Sequence, residues 1–178
     1  MSKNIVIKKK IKPFNKIISV SGDKSISIRC VLLASQAIGE TKINNLLESE
    51  DVLNSLRIIK KLGIKFKKKG GYYFIYGLGI KSFNSQKKIT VNAGNSGTLA
   101  RLILGLLVNN EKQVTLIGDK SLSKRDFSRV TEPLKMFGAN LKSKNNMLPI
   151  TILGTNYLRP VKYKENIGSA QVKTCIIF

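Results

Sequence analysis

Three times along this chain a turn of small polar residues runs into an apolar helical pattern whose first turns carry a cation. No other feature restricts the possible folds as much. The copies read Gly22-Asp23-Lys24-Ser25-Ile26-Ser27-Ile28-Arg29, then Asn95-Ser96-Gly97-Thr98-Leu99-Ala100-Arg101, then Gly168-Ser169-Ala170-Gln171-Val172-Lys173. Arg29, Arg101 and Lys173 stand 72 residues apart each time, so the chain reads as a repeated supersecondary unit. A helix N-terminus made of small residues is also suited to an anion. Its free N–H groups and the positive end of the helix dipole both face whatever docks there.

Periodicity predicts the same element order twice. In the first unit a strand is expected at Ile17 to Val20 and a helix at Lys24 to Ala37, with Ile28, Val31, Leu32 and Leu33 on its buried side and Gly39 as its stop. A strand at Thr41 to Leu46 follows, then a helix capped by Ser49 or Asp51 and stopped at Gly63. Strands at Ile64 to Lys68 and Tyr72 to Tyr76 join at Gly70-Gly71, a hairpin signal. The second unit has strand Ile89 to Val91, helix Ser96 to Val108, strand Gln113 to Ile117 and helix Phe127 to Phe137. Strands Ala139 to Lys142 and Pro149 to Leu153 complete that βαβαββ unit. A third unit opens with strand Val161 to Tyr163 and a helix after Gly168. The chain ends on Thr174-Cys175-Ile176-Ile177-Phe178 with no cap or polar tail, which reads as a fragment cut inside its third unit.

The 178 residues can bury one good core or two small ones. No apolar run approaches the roughly 18 residues that span a bilayer, and Ile5-Val6-Ile7, stopped by Lys8 to Lys10, fits a strand better than a signal peptide. Cys30 and Cys175 are isolated within apolar patterns and read as buried, reduced thiols. With 32 Lys and Arg against 10 Asp and Glu the net charge is +22, a balance that turns attention to nucleic acid. The lysines are scattered, however, with runs of three only at Lys8 to Lys10 and Lys67 to Lys69. A solvated lysine-rich face is therefore favoured over a nucleic-acid surface.

Lys24, Ser25 and Arg29 gather at one helix opening, with Ser25 and Arg29 on one face by their i,i+4 spacing. Two cations, a hydroxyl and free N–H groups suit a phosphate or carboxylate; the alternative is a capped helix with solvated cations. Gly97 either permits close approach of a ligand to the backbone or shapes a tight turn. Arg125 follows Gly118-Asp119-Lys120-Ser121-Leu122-Ser123-Lys124 just before a helix, and Ser169 and Gln171 open the third. No turn has the glycine spacing of a Walker A loop, and there is no metal-ligand spacing. The sequence holds no histidine, so the commonest general base near neutrality is missing. Anion-binding elements abound while catalytic acids and bases are scarce.

Together Ser21-Gly22-Asp23-Lys24-Ser25-Ile26-Ser27, Asn92-Ala93-Gly94-Asn95-Ser96-Gly97-Thr98, Gly118-Asp119-Lys120-Ser121-Leu122 with Lys124-Arg125, Leu148-Pro149 and Ser169-Ala170-Gln171-Val172-Lys173 resemble 5-enolpyruvylshikimate-3-phosphate synthases. The resemblance implies the inverse α/β prism, three βαβαββ units per domain with the active site between two domains. Residues 17–178 would form the N-terminal prism domain, incomplete in its third unit. Residues 1–16 would form a strand segment packing with a second domain. It also implies the reaction: the 5-hydroxyl of shikimate 3-phosphate attacks C2 of phosphoenolpyruvate, and the tetrahedral intermediate loses phosphate.

Carried over by motif, Lys24, Ser25, Arg29, Ser169, Ala170 and Gln171 would contact shikimate 3-phosphate, and Lys24, Gly97, Arg125 and Gln171 phosphoenolpyruvate. No cofactor is implied, and the family's catalytic Asp and Glu belong to the other domain, so this chain alone is expected to be inactive and poorly soluble. A cytoplasmic monomer with no membrane partner is the implied full-length form. Ile28 stands where the family has His or Asn, and Asp126 where it has Pro. Asp126 reads as a cap for the following helix rather than a partner that neutralises Arg125. The rival readings are a related UDP-amino-sugar enolpyruvyl transferase, disfavoured by Lys-Ser-Ile-Ser and Ser-Ala-Gln, and a basic RNA-binding protein.

Overall fold

The computed structural model describes residues 6, 8–10, 12–80, 83, 88–110, 112–166 and 168–178. Five helices and seven strands appear among them, in an order that repeats. The first unit comprises α1 (Lys24–Gln36), β1 (Ile38–Ile43), α2 (Glu50–Lys61), β2 (Lys65–Lys69) and β3 (Tyr72–Leu78). The second comprises β4 (Ile89–Asn92), α3 (Gly97–Leu106), β5 (Val114–Ile117), α4 (Ser128–Met136), β6 (Asn140–Lys144) and β7 (Met147–Leu153). A last helix, α5 (Ala170–Ile177), follows.

The two sheets share one plan. In the first the order is β1-β3-β2, all antiparallel; in the second it is β4-β5-β7-β6, with β4 parallel to β5 and the rest antiparallel. The segment β5-β7-β6 therefore repeats β1-β3-β2, and the second sheet adds β4 on its outer edge. Alternation explains the layering: Tyr73 and Ile75 of β3, Val114 and Leu116 of β5 and Ile150 and Ile152 of β7 all point inward and are buried. Helices fill the interior. Around α3 the burial is nearly complete, with Leu99, Ala100, Leu102, Ile103 and Leu104 all at 0% exposure, the pattern of a helix surrounded on every side. Its neighbours are α1, α4 and α5.

Two expected strands do not form. Residues 17–20 are irregular, with Ile17, Ile18 and Val20 all strongly exposed, because β-branched residues favour a strand only where a partner edge accepts their hydrogen bonds. Here the Val20 carbonyl accepts from the side chain of Asn45, in the loop after β1. Residues 161–163 are likewise irregular, and Tyr163 packs against the core without pairing. Leu33, expected on the buried side of α1, is exposed, because it lies about 100° round the helix from the buried Leu32, and Gly39 is not the stop of α1. That helix ends at Gln36 with Ala37 already extended, and Gly39 lies inside β1 opposite Gly77. Gly63, at φ 97°, does close the end of α2. Cys175 is buried, Cys30 is only partly so, and both are free. Apart from Val6, which is exposed, the strand expected at Ile5-Val6-Ile7 lies outside the described residues.

Candidate anion-binding site

Each repeated turn caps its helix with an oxygen side chain. Asp23 accepts from Ile26 N, Ser96 from Leu99 N and Ser169 from Val172 N, satisfying one orphan N–H at each N-terminus. The caps are 73 residues apart, the cations 72. Arg29, Arg101 and Lys173 thus lie six, five and four residues beyond their caps, on different faces of their helices, and they play different parts.

The helix starts are tied together by side chains. Arg29 of α1 donates from Nε and Nη2 to Thr174 Oγ1, each at 3.2 Å, and from Nη2 to the Ala170 carbonyl at 3.3 Å. Its Nη1 donates to the Ser25 carbonyl at 3.2 Å. Gln171 of α5 donates from Nε2 to Thr98 Oγ1 of α3 at 3.0 Å and accepts at Oε1 from Arg101 Nη1 at 3.3 Å. The N-terminal turns of α1, α3 and α5 are thereby drawn to one end of the helical interior.

Gly97 is where two guanidinium groups approach the α3 backbone. A Cβ there would stand 2.8 Å from Arg101 Nη1 and 3.0 Å from Arg125 Nη1, so steric room rather than an unusual backbone angle calls for glycine. Arg125 is exposed and donates from Nη2 to Asn95 Oδ1 at 3.1 Å. Asn95 in turn donates from Nδ2 to Asp119 at 2.5 Å, and Asp119 accepts from Leu122 N at 2.7 Å. Those bonds, with the backbone one the largest, hold the Asp119 carboxyl below the usual range. The carboxylate fixes the amide, and the amide aims the guanidinium.

Arg101, Asp126, Arg129, Ser169, Gln171 and Val172 line a recess of about 280 Å³ between these loops. Burial, and then Arg125 and Arg129, push the Arg101 pKa down, so positive charge is concentrated here beyond what the acids present offset. Asp126 is not the N-cap of α4, a position held by Phe127 without a side-chain cap bond; from one residue earlier it accepts from Ser128 N at 2.8 Å and from Ser128 Oγ at 2.5 Å at the start of that helix. Those bonds lower its pKa more than Arg101 and Arg129 do.

Of the residues singled out in sequence, Arg29 meets Ala170 and the backbone of Ser25, Gly97 meets Arg125, and Gln171 joins α5 to α3. Lys24, the first residue of α1, is paired with Asp51 of α2 at 3.0 Å. Arg101, Thr174, Asn95, Asp119 and Arg129 were assigned no role from sequence. For Arg101 a signal existed, since it is the middle cation of the repeat. Asn95 stands in the second repeated turn, but its partner Arg125 lies 30 residues away along the chain, and Thr174 carries no signal, its partner being 145 residues away.

Residues 8–178 match the family EPSP synthase (3-phosphoshikimate 1-carboxyvinyltransferase). A 3-phosphoshikimate 1-carboxyvinyltransferase from Streptococcus suis is 37% identical over 174 residues, 97% of this chain and 41% of that relative. One from Ruthia magnifica is 42% identical over 171 residues, 94% of this chain and 39% of that relative. The solved EPSP synthase of Acinetobacter baumannii superposes with a TM-score of 0.82 at 33% identity, covering 89% of this chain and 36% of that one. The chain thus spans about 40% of the length of the relatives it matches, and its two repeated sheets around buried helices are part of an α/β prism. By its sequence over nearly its whole length and by its fold, this chain belongs to the EPSP synthase family.

Proposed function

We propose that this chain supplies the substrate-anion half of an enolpyruvyl transferase of the shikimate pathway, the route to aromatic amino acids. The reaction moves the enolpyruvyl group of phosphoenolpyruvate to the 5-hydroxyl of shikimate 3-phosphate. The observation that carries the reading is the convergence of three capped helix N-termini with Arg29, Gly97, Arg125 and Gln171 among their loops. Both substrates are multiply anionic, and preorganised N–H groups and cations stabilise such charge without reorganising.

In this reading Lys24, Ser25, Arg29 and Ser169 to Gln171 hold shikimate 3-phosphate. Lys24, the Gly97 backbone, Arg125 and Gln171 hold phosphoenolpyruvate. Residues 17–178 form the prism domain and residues 1–16 pack with a second domain that brings the carboxylates for proton transfer. The chain itself offers no histidine for that task. Its contribution is to bind and orient: Asn95 and Asp119 aim Arg125, and Gln171 sits between the two anion loops.

A hybrid in which residues 1–178 replace the matching region of the Streptococcus suis relative tests this. Phosphate release is expected only with both substrates present, and Arg125→Gln should lower kcat/KM for phosphoenolpyruvate about tenfold to a hundredfold, as loss of a charged hydrogen bond does. A folded hybrid that releases no phosphate would overturn the assignment.

A further inference from the structure

We propose that Arg101 is a positioning residue that locks the three ligand loops to one another, and that it does so through the fork of its guanidinium rather than through its charge. The side chain starts on α3 and is half-buried. Nη1 donates to the Gly97 carbonyl at 3.2 Å and to Gln171 Oε1 at 3.3 Å, and Nη2 to the Asp126 carbonyl at 3.3 Å. Its guanidinium carbon lies 5.0 Å from the centroid of the buried Phe127 ring. One planar group on α3 therefore meets the first turn of its own helix, the turn before α4 and the first turn of α5.

Each of those turns carries a group assigned to an anion above: Gly97, Arg125 and Gln171. Arg101 lines the recess beside Gln171, and its donors point at protein oxygens. Gln171 depends on it in a specific way. With Nε2 given to Thr98 and Oε1 taken by Arg101, both ends of the amide are fixed. A lysine in the same place keeps the positive charge but has one nitrogen in place of a fork and no plane to stack on Phe127.

The functional side of this inference rests on the enolpyruvyl-transferase reading; its structural side does not. The test is amide hydrogen exchange on the 178-residue chain and its Arg101→Lys and Arg101→Gln variants, followed by titration of each with shikimate 3-phosphate. Both variants should speed exchange at Thr98, Phe127 and Val172 together by about tenfold, the scale of one charge-assisted hydrogen bond, and leave Ile75 in the first sheet unchanged. Lysine retaining native exchange would overturn the proposal in favour of a charge effect. So would loosening confined to α3 itself, or uniform destabilisation that reaches Ile75. In the titration, Arg101→Lys should bind shikimate 3-phosphate about tenfold more weakly than the native chain, but no more weakly in a Gln171→Leu background. Native binding by Arg101→Lys would overturn the functional side. A native chain that binds no shikimate 3-phosphate refutes that functional side together with the transferase reading, while the exchange pattern still decides the structural one.

Discussion

Gly105 is where α5 is either docked or lost, and its replacement by alanine has a calculable outcome. A Cβ at that position would lie 2.1 Å from the Cys175 carbonyl oxygen and 3.0 Å from its carbonyl carbon. Ordinary contact begins at 3.4 Å, so the two helices would have to part by about 1.3 Å, and the obstructing atom is backbone that cannot rotate away. Overpacking of this kind costs about 1–3 kcal/mol, with the upper half of that range expected here, while alanine returns about 1 kcal/mol in helix propensity. The net loss of about 1–2 kcal/mol falls on α5, because eight residues anchored chiefly through Val172, Cys175, Arg29 and Gln171 yield before the interior of α3 does.

Cys175 reports on that loss directly. It is 1% exposed, and burial pushes its thiol pKa up to about 12. At pH 8 the docked thiol is ionised about one part in ten thousand, and an undocked one about one part in four. Labelling by an aromatic disulfide reagent therefore proceeds through the open form and follows its population. Gly105→Ala should label Cys175 about five- to thirtyfold faster than the native chain, since about 1.4 kcal/mol is one power of ten. The partly exposed Cys30 should keep its rate and act as the internal reference. Equal Cys175 rates in the two proteins, with an unchanged melting temperature, would refute the packing argument.

The same thiol gives α5 a pH dependence. Its docked pKa lies above its undocked value, so docking has full strength below about pH 8.5 and weakens as pH rises toward 12; Cys175 labelling, corrected for thiolate content, should rise across that window. Arg29→Gln removes the fork that joins α1 to Thr174 and Ala170 and should also speed Cys175 labelling about tenfold; an unchanged rate would mean that the bonds contribute nothing to docking. Asp119→Asn should free the Asn95 amide and weaken phosphoenolpyruvate binding severalfold with little change in melting temperature, read by calorimetric titration. Because the Asp119 pKa is depressed by its bonds to Leu122 and Asn95, its contribution is present above about pH 4 and fades as pH falls through its folded value. The 119–125 loop should then loosen before the sheets do, as NMR shifts in an acid titration would show. The Lys24–Asp51 pair, with Lys24 half exposed, should matter little to stability, so Asp51→Asn should change it by no more than about 0.5 kcal/mol in urea melts.

What could be read in the sequence was what local chemistry decides. Asp23, Ser96 and Ser169 are capping residues wherever they stand before an apolar helical run, and the Gly70-Gly71 hairpin needs no distant partner. The strands at Ile17 to Val20 and Val161 to Tyr163 went wrong for the opposite reason: their residues suit a strand, but pairing is settled by which edge lies alongside. For the site, the residue types were legible and the division of labour was not. Arg29 reads as a free cation in sequence, yet in the fold it spends donors on Thr174 and Ala170, residues more than 140 positions away. The one-residue difference between a 73-residue cap spacing and a 72-residue cation spacing rotates each cation by about 100° relative to its cap. Three similar motifs thereby become a clamp at Arg29, a hub at Arg101 and an exposed lysine at Lys173.

The claim on which everything else depends is that these loops form a site for a phosphorylated cyclic acid, not merely a basic surface. Titrating the isotope-labelled 178-residue chain with shikimate 3-phosphate, against shikimate and inorganic phosphate as controls, tests it most directly. Saturable shifts are expected at Ser25, Arg29 and Ser169 to Gln171, stronger than with either control and persisting at 0.15 M salt. Shifts spread over Lys65 to Lys69 and the other surface lysines, matched by any polyanion and abolished by salt, would contradict it.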